Sequence, residues 1–123
     1  MIQTTLLVAL GGAIGASLRF LFGTAIVRLV GSGFPVAILT VNVVGSVLMG
    51  IAVVYFGRSG NSLGPFVMTG ILGGFTTFSA FSLEAYTLFE RGAVGQAALY
   101  VGLSVGLSII GLVIGVTFAR TLA

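Results

Sequence analysis

Residues 70–82 read Gly70-Ile71-Leu72-Gly73-Gly74-Phe75-Thr76-Thr77-Phe78-Ser79-Ala80-Phe81-Ser82. The stretch lies inside the apolar run 65–89. Crossing about 30 Å of hydrocarbon takes about 20 apolar residues in a helix, so this run is long enough to span a bilayer. Its centre falls near Thr77. Paired glycines followed by paired β-branched threonines are poor helix material, so the spacing predicts a break there. Broken backbone at membrane depth survives only where other groups satisfy it. Freed carbonyls can bind a small cation, and the half-helix that follows presents a positive N-terminus. A merely kinked helix, with Thr hydroxyls bonded to the preceding turn, fits the same residues equally well.

Working outward, three more runs are long and apolar enough to span: 5–26, 36–56 and 93–118. Turn formers and most charges fall between them, in Gly31-Ser32-Gly33 with Pro35, in 57–64, and in Glu90-Arg91-Gly92. Such short loops make neighbouring helices antiparallel. The expected fold is an all-α integral membrane protein of four transmembrane helices, the third broken near its middle. Residues 1–123 form one transmembrane domain with no soluble unit left over. The first run lacks a basic leader and is too long for a cleaved signal, so it is retained as a helix.

Composition agrees. The chain is 58% hydrophobic and 6% charged, against about 25% charged in ordinary globular domains. It contains no Cys, His, Asp, Lys or Trp. No disulfide framework, zinc cluster or Cys/His couple can be written, and the usual proton-shuttling residue is absent. Enzyme chemistry is therefore not expected. Five scattered arginines make no nucleic-acid surface and read as charges flanking membrane spans.

Those arginines also bear on orientation. With four spans, Arg58 and Arg120 share one side, and Arg28 and Arg91 the other. Two against two leaves the positive-inside rule without a majority. Insertion in both orientations, followed by pairing as an antiparallel dual-topology dimer, is the expectation; a single orientation set by Arg19 is the alternative. Gly11 and Gly15, Gly70 and Gly74, Gly102 and Gly106, and Gly111 and Gly115 are each four apart. That spacing lets helix backbones approach closely in lipid. Four helices enclose little space, so a pore would need a second subunit.

Polar groups at membrane depth mark candidate sites. Arg19 is either a snorkelling side chain or a fixed positive charge lining a wet vestibule that concentrates anions. Asn42, near mid-span, either glues helices together or aims an N–H donor at a passing anion. Phe78 and Phe81, three apart, share a helix face; they are packing, or they offer positive ring edges to an anion. Tyr100, Ser104 and Ser108 are each four apart and form one polar stripe about 12 Å long. Back-bonded serines would explain that stripe, as would a row of donors for a dehydrated anion. Donors outnumber acids in the membrane, which favours an anion path over a cation path.

At these residues the sequence resembles the Fluc (CrcB) family of small fluoride channels, over nearly the whole chain. Gly12-x-x-Gly15-Ala16-x-x-Arg19-Phe20 resembles the family's first-helix motif. Thr40-x-Asn42-x-x-Gly45-Ser46 with Gly50 resembles its second, and residues 73–81 resemble its third-helix signature. Ala80 departs from the Thr expected in much of the family, although Phe78, Ser79 and Phe81 around it are intact. The resemblance implies a plasma-membrane, multi-pass homodimer with two pores. These would passively export fluoride, reject chloride and confer fluoride resistance. It implies a pore lining of Asn42, Phe78, Ser79, Phe81, Tyr100, Ser104 and Ser108, with Arg19 at the vestibule. It further implies a structural sodium ion at the dimer interface, held by the backbone carbonyls of Gly73 and Thr76. A small drug/proton antiporter would need a membrane-embedded carboxylate, for which Glu84, towards a span end, is the one candidate. A non-transporting scaffold subunit is the other rival reading.

Overall fold

The computed structural model describes residues 1–57, 61 and 63–122. Arg58, used above in the charge count across the membrane, lies outside them. Helix α1 spans Ile2–Val30 and α2 spans Val36–Phe56. The third span starts as a π-helical segment, Pro65–Leu72, and closes with the α-helical turn Gly73–Phe75; the two pieces together are α3. After the break comes α4, Phe78–Glu90, and then α5, Val94–Leu122. All four spans are long and apolar enough to cross a membrane. At 1.5 Å per residue the 29 residues of α1 extend about 43 Å, longer than the hydrocarbon layer, so their ends reach headgroup depth.

These helices hide little of their apolar surface from one another. Leu6, Leu21, Ile109 and Val113 are all exposed. A water-soluble protein rarely leaves such surface uncovered, whereas lipid solvates it at no cost. What is buried is mostly glycine, alanine and aromatic rings, with Val41, Leu72 and Leu88. Helix α1 packs on α3, and α2 packs on α5.

Glycine makes both contacts possible. A Cβ at Gly15 would run into the Ile71 carbonyl oxygen, and one at Gly115 into that of Val47. A Cβ on Gly74 would lie 2.7 Å from the Gly12 carbonyl oxygen. Three of the four spaced glycine pairs are therefore used within the protomer. The fourth differs from expectation: Gly102 and Gly106 face open space, because they lie on the side of α5 turned away from α2.

The end of the bundle near α4 is held by an aromatic cluster. Phe81, Leu88, Ala97 and Tyr100 are buried together, with Phe34 from the first loop against them. The Tyr100 ring meets Phe34 edge-on at 5.7 Å and Phe81 at 5.4 Å. That cluster fixes where α4 begins, and with it the break.

Candidate functional site

Thr76 is where the third helix stops. Its backbone N–H still donates to the Leu72 carbonyl at 3.0 Å, and its hydroxyl donates to the same oxygen at 2.9 Å. Its ψ is then 161°, and Thr77 is extended at φ −155° and ψ 123°. Both sequence readings of the threonines are thus present: Thr76 bonds back to the preceding turn, and the helix also breaks. Thr77 starts the next helix as its N-cap, its hydroxyl accepting the Ala80 N–H at 3.1 Å. That is the ordinary way a Thr serves the orphan donors of a helix start.

A neighbouring helix supplies what the break removes. The Asn42 amide nitrogen donates to the Thr77 carbonyl at 3.0 Å, and its oxygen accepts the Thr77 N–H at 2.8 Å. In an unbroken helix that N–H would have bonded to the Gly73 carbonyl. Likewise the Ala80 N–H, turned to the Thr77 hydroxyl, would have bonded to the Thr76 carbonyl. The carbonyls of Gly73 and Thr76 have therefore lost their helical donors. On the other side of the break, Arg19 Nε donates to the Gly74 carbonyl at 3.1 Å.

Beside the break runs an open groove of about 320 Å³. Asn42 and Ser46 of α2, Phe78 and Phe81 of α4, and Ser104 and Ser108 of α5 line it. Phe78 is 77% exposed and Phe81 only 8%. Their rings lie 5.3 Å apart, so one ring stands in the open while the other is seated in the cluster. Tyr100 is fully buried behind Phe81. Its hydroxyl and the Ser104 hydroxyl are both buried one turn apart, close enough to bear on each other, and neither bonds to any other protein group. Buried hydroxyls are nearly always fully bonded, and these two keep donor and acceptor capacity that no other protein group uses. Ser104 is not bonded back to its own helix, which removes the bland explanation of the polar stripe at that position.

Four sequence candidates lie apart from the groove lining: Gly73, Tyr100 behind Phe81, Ser79 and Arg19. Ser79 is exposed at the start of α4, its hydroxyl 3.3 Å from that of Thr77. Arg19 is half-buried and lines a different cavity of about 570 Å³, shared with Arg28 and Glu84. Sequence reasoning passed over Thr77 and Ser46 as site residues. Thr immediately before a helix is a capping signal, and Ser46 lies one turn beyond Asn42 on the same face. Among the described residues no group of His, Cys, Asp or Glu could hold a metal ion.

Comparison with known proteins gives a consistent answer. The family described as "CrcB-like protein, Camphor Resistance (CrcB)" matches residues 6–116. A protein of a Ruegeria species named "Fluoride-specific ion channel FluC" is 64% identical over 122 residues, covering 98% of this chain and 97% of the relative. A Cereibacter sphaeroides protein of the same name is 60% identical over 120 residues, covering 98% and 97%. One from Rhizobium etli, again so named, is 48% identical over 126 residues and covers both chains completely.

Proposed function

We propose a function from the premise that this chain belongs to the CrcB family. It is a fluoride-specific ion channel of the plasma membrane, a multi-pass protein that lets fluoride leave the cell down its gradient and so confers fluoride resistance. It carries out no catalysis. One observation about this chain supports the reading most: two buried hydroxyls, Tyr100 and Ser104, with no protein partner beyond each other, stand beside a groove edged by Phe78 and Phe81.

The chemistry runs as follows. Fluoride is small and strongly hydrated, and it enters the membrane only where donors replace its water. The start of α4 offers the N–H groups of Phe78 and Ser79, which have no intrahelical acceptor, at the positive end of the helix dipole. The second hydrogen of the Asn42 amide, and the hydroxyls of Tyr100, Ser104 and Ser108, continue the row of donors. Between them the edges of Phe78 and Phe81 attract an anion weakly and let it pass. Among the described residues no full cation lines this groove to hold the ion. Ser79 extends the polar mouth at Thr77.

The groove is open along the face where Phe78 stands exposed. A second copy of the chain closes it, and an antiparallel arrangement gives two equivalent pores. Balanced arginines, Arg28 and Arg91 against Arg58 and Arg120, favour insertion in both orientations. The carbonyls of Gly73 and Thr76 fit a sodium ion, because both have lost their helical donors to Asn42 and Thr77. Hard oxygen donors of unwound backbone suit that cation. Two per chain are few, and an antiparallel copy brings the number to four. When bound, sodium supplies a positive charge that offsets the cost of an anion in low dielectric.

The test is efflux from liposomes holding the purified protein, fluoride and chloride measured in parallel. Fluoride release without chloride release is expected. Equal release of both would leave an unselective anion pore. No release of either from folded protein would reject the channel.

A further inference from the structure

The geometry points to Arg19 as a positioning residue that holds the break in the third span, acting through its Nε–H bond to Gly74 rather than through its charge. This deepens the channel reading and rests on it only for the flux measurements. The Gly74 carbonyl lies between the two helix halves. Its donor in a continuous helix would be the Phe78 N–H, which the break has carried away to the start of α4. A bare carbonyl at membrane depth is costly. Arg19, 55 residues away in sequence, supplies the substitute donor at 3.1 Å.

The rest of the first-helix motif explains how Arg19 gets there. Gly12, Gly15, Ala16 and Arg19 share one face of α1. At Gly15 the backbone of α1 lies directly against Ile71 and Phe75. Two turns and one turn before Arg19, Gly12 and Ala16 meet Gly74 itself, where an added Cβ would lie 3.1 Å from the Gly12 Cα and 3.2 Å from the Ala16 nitrogen. The helices are therefore in backbone contact up to one turn before the bond, and a side chain one turn on reaches the carbonyl. Asn42 holds Thr77 from α2 in the same way. The break is thus pinned on both sides of the peptide units 74–77, by α1 and by α2.

The bond comes from Nε and not from the guanidinium tip, and that makes the role testable. The amide nitrogen of Gln stands the same number of bonds from Cα as Arg Nε, so Arg19→Gln keeps the donor and removes the charge. Arg19→Lys keeps the charge and places its nitrogen one bond further out. Full-length wild type and both variants are reconstituted for fluoride efflux. Amide hydrogen exchange is read in parallel over residues 70–81 in detergent micelles. A positioning role predicts that Gln loses less than about threefold in flux and leaves exchange unchanged, while Lys loses more than about tenfold and exchanges faster. The deficit of Lys persists at high salt, since a bond is not screened as a long-range field is. The reverse order, Lys retaining flux and Gln losing it with exchange unaltered, would overturn the proposal in favour of a vestibule charge. Equal behaviour of the two variants would overturn it as well. If wild type conducts no fluoride, the channel reading fails, and the exchange measurements still decide the role of Arg19.

Discussion

Asn42 and Thr77 are joined twice: the amide of one side chain both donates to and accepts from the backbone of the other residue, at 3.0 and 2.8 Å. The pair works as a single peptide unit inserted sideways into the third span. It lets the helix stop at Thr76 and restart at Phe78 without leaving Thr77 bare in the membrane.

Replacing Asn42 with Leu keeps the shape and removes both bonds. Each orphaned backbone group costs about 1–3 kcal/mol. The variant is expected to melt lower than wild type in micelles and to lose fluoride flux. An unchanged melting temperature would mean that Asn42 does not hold the break.

Ser104→Ala separates function from stability. The residue is 5% exposed, and its hydroxyl has no protein partner beyond the neighbouring Tyr100 hydroxyl. Its removal takes away only a poorly aligned contact with Tyr100, so the protein should melt close to wild type. If the hydroxyl serves fluoride, flux falls even so, by about tenfold for each 1.4 kcal/mol of lost stabilisation. Unchanged flux alongside unchanged stability would remove Ser104 from the path.

Phe78 and Phe81 should answer differently to the same change. Phe81→Ile is expected to cut flux about tenfold, with some loss of stability because the ring is seated against Tyr100. Phe78→Ile should cut flux as well while leaving the melting of the protomer unmoved, since its ring stands in the open. Efflux and melting curves on both variants check this, and identical stability losses would contradict it.

Gly15→Ala puts a methyl group onto the Ile71 carbonyl, where backbone must move to make room. Overpacking of this kind costs about 1–3 kcal/mol. Gly102→Ala, by contrast, meets open space within the protomer and should melt as wild type does. Comparable losses in the two would show that α5 uses Gly102 in a contact with another chain.

Dual topology is checked by tagging each terminus. Reactive labels should find both termini on both faces of the membrane. Arg91→Gln should bias the population toward one orientation, because it breaks the two-against-two balance. A single fixed side for wild type would end the antiparallel arrangement.

Much of this protein was legible in residue order alone. Hydropathy and loop chemistry marked four spans, because a bilayer demands about 20 apolar residues per crossing whatever surrounds them. The break was legible too, since two Gly and two Thr at mid-span weaken a helix through local propensity, which needs no tertiary partner. Tertiary structure decided everything that depends on which side chain reaches which backbone atom. Gly111 and Gly115 meet α2 while Gly102 and Gly106 meet nothing, although the spacing is the same. Arg19 read equally as a snorkelling side chain or a free charge, and instead its Nε bonds to Gly74. Asn42 finds both its partners at Thr77, 35 residues away. Spacing along one helix is a one-dimensional fact; the bonds that hold the break open join three helices, and only their packing brings them together.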